Sequence, residues 1–327
     1  MDSEEEEGQV LQNLFQKQVI MRRVIYSLVP VFLFSIYLYG WRVLTITAVA
    51  FVFGILTEYV FEKVRKKKVT EAVFVTCTLY ALSMPPRTPL WIVAIGIIFA
   101  VAIGKEVYGG FGRNIFNPAI TGRIFVYITF PTVMTTAWMV PGNFGMNAVD
   151  ATTMATPLGI LHSGGHLDLL NMLIGLRSGS LGESPVILIL AGAIYLIWTK
   201  TAQWRLMLST ILSAAIFTTL FWATGVSSYY PPIDALTAGS ILFMSVWMVT
   251  DPVSAPNKKA GQWLYGLIIG GVTVLVRTFS GFPEGVSFGI LVGNVFASLI
   301  DELLPNPKKK IAPAASKAEP ATAREGT

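Results

Sequence analysis

Long apolar stretches joined by short polar connections make up most of this 327-residue chain. A helix that crosses a hydrocarbon core of about 30 Å needs roughly 20 residues, and somewhat fewer where its ends are buried in protein. Runs of that kind predict ten helices, near residues 24–40, 43–61, 69–84, 90–104, 117–138, 185–199, 206–224, 237–250, 262–276 and 286–300. The third and the eighth are short, and each runs into proline: LSMPPRTP after one, VTDPVSAP after the other.

Each short helix is the third of its set of five. After each break comes a further apolar helix and a glycine-rich crossing, KEVYGGFGRNIFNPAITG in the first half and RTFSGFPEGVSFGILVGN in the second. Five is odd, so a second copy of such a unit enters the membrane the other way up. Matching Pro/Gly-interrupted helices mark an inverted repeat, in which freed backbone groups line a cavity rather than face lipid. The predicted fold is an all-α integral membrane protein of about ten transmembrane helices in two inverted five-helix repeats, with short or broken third and eighth helices. Its expected divisions are an N-terminal segment (1–23), a first repeat (24–139), a long loop (140–184), a second repeat (185–302) and a Pro-, Ala- and Lys-rich tail of disordered composition (303–327).

Composition agrees with a membrane chain: 53% of residues are hydrophobic and only 13% charged. Charge then sets the orientation. Lys17, Arg22, Arg23, the KVRKKK run (63–68), Lys105, Arg113, Lys200, Arg205, Lys258, Lys259 and Lys308 to Lys310 all fall on connections of one side. The other side carries Arg42, Arg87, Arg177 and Arg277, while Arg123 falls inside a span. The positive-inside rule places both termini in the cytoplasm and the 140–184 loop outside. The acidic start, MDSEEEEGQV, is unlike a secretory signal. The lysines beside the last span suit anionic headgroups, and basic charge spread along one membrane face argues against nucleic-acid binding. The lone Cys77 supports neither a disulfide framework nor an iron–sulfur or zinc site, and His162 and His166 are too few for a haem pair, so redox work would need an organic cofactor.

The extracytoplasmic loop is the longest connection, and long loops in terse chains are commonly functional. Its distal part, LDLLNMLIGLRSGSLGES, predicts a short amphipathic surface helix. Its proximal part reads DATTMAT (150–156): Asp, two residues, a hydroxyl residue, one residue, Ala, Thr. This heptapeptide resembles the flavin-attachment motif of membrane subunits in the Rnf and Na+-translocating NADH:quinone oxidoreductase complexes. KEVYGGFGRNIFNPA, GSLGES, TDPVSAP and FPEGVSFGILVGN also look like blocks of that family, so the resemblance spans nearly the whole chain. Length and the short start are more similar to the D-type membrane component of Rnf than to the B-type component of the quinone reductase.

The resemblance implies a fold like that of urea and ammonium channels and an FMN-carrying subunit of an ion-translocating ferredoxin:NAD+ oxidoreductase. It further implies FMN joined by a phosphodiester to Thr156, installed from FAD by a flavin transferase, with Asp150, Thr153 and Ala155 around it. Met154 departs from the usual glycine, and Thr152 and Thr153 are alternative acceptors. A second, non-covalent flavin (riboflavin) in the helical core is also allowed, with Arg113, Asn114 and Asn117 as candidate contacts. Partner subunits would be Rnf A, B, C, E and G in the cytoplasmic (inner) membrane of a bacterium or archaeon, moving Na+ or H+. No nucleotide fingerprint is present, because GGFGRN follows no strand and lacks the glycine spacing.

Carboxylates at membrane depth default to function, which makes Asp251 and Glu106 candidates for an ion path. Glu58 reads as solvated or as a helix cap, and Asn117 equally as a cap ahead of Pro118. Trp41, Trp91 and Trp138 fit interfacial belts. The competing readings are an inverted-repeat transporter or channel without a redox centre, and an inert assembly scaffold.

Overall fold

The computed structural model describes residues 15–142, 144–145, 156–165, 167–184, 186–226, 231–280, 282 and 285–304. In the first half the elements are β1 (Phe15–Gln16), α1 (Val19–Tyr39), α2 (Trp41–Val64), β2 (Val69–Thr70), α3 (Ala72–Leu82), α4 (Leu90–Val101) and α5 (Pro118–Thr129). A π-helical turn (Ala102–Glu106) extends α4. Four short helices follow on the connections: α6 (Pro131–Thr136), α7 (Pro157–His162), α8 (Leu169–Ile174) and, later, α11 (Pro232–Thr237). The second half contributes α9 (Val186–Trp198), α10 (Trp204–Ala223), α12 (Ile241–Trp247), α13 (Lys259–Phe279) and α14 (Val286–Leu303). Each of the ten predicted runs overlaps one of α1–α5, α9, α10 and α12–α14, and five of these helices extend beyond the predicted bounds. By length and composition α1, α2, α10, α13 and α14 can each cross a membrane. Their outward faces carry large apolar residues such as Leu33, Val52 and Ile216, as a lipid-facing surface requires.

Local chemistry explains the departures from the predicted bounds. The 117–138 run divides at Phe130, because Pro131 has no N–H to donate and disfavours helical geometry in the residue before it. The third run shortens to α3, its first residues forming β2, which pairs in parallel with β1. The eighth shortens to α12. Between α1 and α2 the turn is a single residue: Gly40 takes φ 64°, and a Cβ there would strike the Phe144 carbonyl.

The two halves repeat one another. The interval from Val19 to Val186 at the starts of α1 and α9 also separates Pro85 from Pro252 and Pro89 from Pro256 at the two breaks. Packing repeats too. The pairs α1–α3, α2–α3, α2–α4, α3–α5 and α4–α5 recur as α9–α12, α10–α12, α10–α13, α12–α14 and α13–α14, while α1–α9 and α5–α14 join the halves. Both joining pairs run antiparallel. The end of α5 meets the stretch before α14 through Tyr127 and Phe282, with ring centroids 6.0 Å apart. Asn117, at the start of α5, donates its N–H to Asn294 Oδ1 in the later turns of α14 at 3.1 Å. Arg23 near the start of α1 donates to the Thr199 carbonyl beyond the end of α9 at 3.0 Å. This is an inverted repeat.

Without a hydrophobic driving force between helices in lipid, close packing of small residues holds them together. Where α4 crosses α5, a Cβ on Gly122 would lie 2.6 Å from Ala100 Cβ and 2.7 Å from the Gly96 carbonyl, so only glycine permits the approach.

The segment entering α1 is fixed by Glu71, which accepts the Gln18 N–H at 2.6 Å and pairs with Arg22 at 2.5 Å. The Arg22 hydrogen bond holds the Glu71 carboxyl below its usual range. Folding therefore gains from this contact above the ordinary carboxylate pKa of about 4.3, and the gain fades as pH falls through the depressed folded-state value. The protection factors for amide exchange over residues 15–22 should fall on acidification below about pH 4, whereas Glu71→Gln should show the lower protection at neutral pH already.

Candidate functional site

At its far end α3 stops ahead of Pro85 and Pro86, leaving the carbonyls of Leu82, Ser83 and Met84 without intrahelical donors. Three groups from elsewhere supply them. Gly182 N–H donates to Leu82 O at 2.7 Å and Leu181 N–H to Met84 O at 3.1 Å. The Arg123 guanidinium of α5 donates to Ser83 O. Ser35 of α1 holds the same loop through the Leu181 carbonyl at 2.5 Å. Glu183 approaches Arg123 to 3.7 Å and accepts the Ser180 N–H at 3.3 Å. The GSLGES stretch therefore lies buried in the break of α3. The amphipathic surface helix expected there is confined to α8, and the correction has a clear cause: unpaired carbonyls at membrane depth are costly, and this loop satisfies them.

Beside this plug lies a cleft lined by Trp138, Thr156, Leu158, Arg177, Ser178 and Gly239. Thr156 is half-buried and caps α7, its Oγ1 accepting the Gly159 N–H at 3.1 Å. Arg177 is 7% exposed; it donates to the carbonyls of Thr237 and, at 2.6 Å, Glu183. Trp138, expected at the interface, is buried and donates to Thr135 O at 2.7 Å, whereas Trp41 and Trp91 are exposed as a belt requires. Asp150, Thr152, Thr153, Ala155 and His166 lie outside the described residues.

At the opposite end of the bundle, the break after α12 is served differently. Asn117 Nδ2 donates to Met248 O and Asn294 Nδ2 to Ser254 O, each at 3.3 Å. Asn117 also caps α5 by accepting the Ile120 N–H at 3.3 Å, as the reading of it as a cap expects. Side-chain amides fill less space than an inserted loop. A cavity remains, walled by Met21, Thr76, Lys105, Asn117, Trp247 and Asp251 among others. A second, more polar cavity of about 220 Å³ adjoins it, walled by Arg113, Asn114, Ser254, Asn294, Ser298 and Asp301 among others. Asp251 accepts the Val253 N–H at 3.1 Å and the Ser254 hydroxyl at 2.9 Å. The structure thus gathers Arg113, Asn114, Asn117 and Asp251 around the α12 break and sets Thr156 apart from them.

Sequence reasoning missed the principal ionic network. Glu58 is fully buried, not solvated. It pairs with Lys105 of the π turn at 2.5 Å and accepts the Thr70 N–H and hydroxyl at 2.8 and 2.6 Å. One turn on, Arg65 joins Glu62 (3.2 Å) to Glu106 (2.5 Å), so Glu106 is an ion-pair partner as well as a buried carboxylate. The available signal was spacing: Glu58 and Glu62 share one face of α2, and the π turn widens the end of α4 where their partners sit. Among the described residues, no group of three or more His, Cys, Asp or Glu side chains is arranged to hold a metal ion.

Comparison with known proteins finds similarity along most of the chain. The NQR2, RnfD, RnfE family model matches residues 11–309. The B-type component of the Na+-translocating NADH-quinone reductase of Azotobacter vinelandii is 38% identical over 285 residues, covering 82% of this chain and 69% of its own. The D-type component of the proton-translocating ferredoxin:NAD+ oxidoreductase complex of Clostridium ljungdahlii is 36% identical over 297 residues, covering 86% of this chain and 88% of its own.

Breaking a buried ion pair from one side leaves an uncompensated charge, which typically costs about 3–5 kcal/mol. Lys105→Met should therefore lower the thermal midpoint of the purified protein sharply, and the double variant Lys105→Met/Glu58→Gln should recover most of the loss.

Proposed function

The chain belongs to the NQR2, RnfD, RnfE family, and from that premise we propose that it is the D-type membrane component of a ferredoxin:NAD+ oxidoreductase complex of Rnf type. In this reading it carries FMN on Thr156 and couples electron transfer to Na+ or H+ movement. The A, B, C, E and G components complete the complex in a bacterial or archaeal cytoplasmic membrane. Both termini lie inside and Thr156 outside.

The observation that carries the reading is the setting of Thr156. Thr156 stands half-buried in the lining of a cleft whose wall also includes the buried cation Arg177 and the Glu183 carboxylate. A threonine oxygen there suits an anionic phosphodiester. Attachment forms a bond from Thr156 Oγ1 to the FMN phosphorus of FAD as the pyrophosphate linkage breaks and AMP leaves, in the active site of a flavin transferase. When bound, the flavin supplies electron-transfer chemistry at its ring system; the chain tethers it outside and orients its phosphate. The coverage of the Clostridium ljungdahlii relative favours the D-type assignment over the B-type.

The inner cavities suit a second, non-covalent flavin. Asn114 presents a buried Oδ1 without a hydrogen-bond partner among the described residues, and Arg113 and Asn117 stand nearby. Asp251 and Glu106 supply buried or half-buried carboxylates near the same cytoplasmic end and are the residues proposed for an ion path.

Co-expression with a flavin transferase should give a denatured band that fluoresces as flavin in wild type and in Thr152→Val and Thr153→Val, but not in Thr156→Val. A dark wild-type band would favour a transporter without a redox centre. A fluorescent Thr156→Val band would move the attachment site.

A further inference from the structure

Where the π turn at the end of α4 packs on α2, three acids meet two cations. Glu58, Glu62 and Glu106 are all buried, and their cations are Lys105 and Arg65. Glu58 is fully served: Oε2 takes Lys105 Nζ at 2.5 Å, and Oε1 accepts the Thr70 N–H and hydroxyl. Lys105 also donates to the Thr70 hydroxyl at 2.8 Å and lies 3.9 Å from Glu106 Oε1, beyond hydrogen-bond reach. Arg65 is therefore left to serve two carboxylates. Its Nη1 meets both Glu62 Oε1 at 3.2 Å and Glu106 Oε2 at 2.5 Å, while Nη2 donates to the Glu106 carbonyl. The second oxygens, Glu62 Oε2 and Glu106 Oε1, are buried and accept no hydrogen bond among the described residues.

The surroundings do not supply the missing charge. Among the described residues, no cation other than Arg65 and Lys105 pairs with Glu62 or Glu106. Lys63 lies over the Tyr59 ring, Lys66, Lys67 and Lys68 are exposed, and exposed Arg113 runs past Gly109. From α3, Cys77 feels the charges of Glu58 and Lys105; from α5, the π turn meets the uncharged Thr121. Two carboxylates at one cation repel, and a buried charge without its own partner is costly. The count closes when one acid is neutral. Glu58, with three donors, is the acid best kept ionised, so the neutral one belongs to the Glu62–Glu106 pair. A carboxyl that holds a proton also brings a donor of its own to a site short of donors.

We propose that Glu62 and Glu106 form a proton-binding site, the two carboxyls holding one proton between them at neutral pH. The proton comes from bulk water and bonds to a carboxyl oxygen; no electron moves. The pair titrates as a unit. Gly110, at φ 92°, covers it with backbone alone, because a Cβ there would lie 2.5 Å from Glu62 Oε1 and 3.4 Å from Arg65 Nη1. Lys105 stands both beside Glu106 and in the wall of the cavity at the α12 break, so gain or loss of this proton changes the field inside that cavity. The site deepens the ion-path reading of Glu106, on which its transport role rests, by naming the ion that this residue takes.

The test is infrared spectroscopy of the purified full chain, with glutamate 13C-labelled at the side-chain carboxyl so that aspartic acids such as Asp251 are not counted. An undissociated carboxyl has a C=O stretch that a carboxylate lacks. Wild type at neutral pH is expected to show this band for a labelled glutamic acid. Glu62→Gln and Glu106→Gln, measured separately, should each lose the intensity of one labelled carboxyl. Each keeps one acid of the pair, but that acid then has Arg65 to itself and ionises. A wild type without the band overturns the proposal, and does so even if a variant fails to fold. A band undiminished in either variant places the proton elsewhere and also overturns it. Ion uptake by the reconstituted complex that is unchanged in Glu106→Gln, with the wild-type band present, removes the ion-path reading and leaves the proton site standing.

Discussion

A helix that stops inside a membrane exposes carbonyl groups to a medium that offers them no donors, and this constraint organises the protein. The chain stops a helix twice, after Leu82 and after Trp247. At the first stop, two backbone N–H groups of the GSLGES loop and the Arg123 guanidinium satisfy the exposed carbonyls. That solution draws a polar loop into the core, brings Glu183 against Arg123, and seats Arg177 beside Thr156. The same loop and the residues leading into it supply Arg177, Ser178 and Glu183 to the wall of the cleft beside Thr156.

The second stop has a different solution. By the interval that relates the halves, the counterpart of the inserted loop is the stretch just ahead of α1. The described part of that stretch, residues 15–17, instead carries β1, paired with β2. Two asparagines, Asn117 and Asn294, donate at the α12 break, and space remains around them. An inverted repeat of nearly equivalent backbones thus presents a filled break at one end and a cavity at the other. The asymmetry comes from side chains and connections, not from the helices.

The buried ionic network beside the cavity at the α12 break follows from the same economy of donors. Glu58 at full burial is tolerable because Lys105 and Thr70 satisfy it, and the π turn brings Lys105 and Glu106 to partners on α2. The network joins α2, β2 and α4, so it stiffens the end of the bundle on which the cavities open. Polar groups in the interior of this protein are local structural ties before they are anything else.

The positions of the ten helices, the two breaks and the repeat were legible in the sequence because each depends on near neighbours: apolar run length, proline without an N–H, glycine at crossings. The same holds for Asn117 as a cap, since its partner lies three residues on. The burial of Glu58, the insertion of residues 179–184 into α3's break and the pairing of Thr156 with Arg177 in one cleft were not legible. Each joins residues distant in the chain, and their types fit a solvated surface equally well. The sequence by itself determined which segments are helices and where they must stop. Only the tertiary structure decided which distant donors meet the carbonyls freed at those stops, because that choice depends on how the two inverted halves pack against each other.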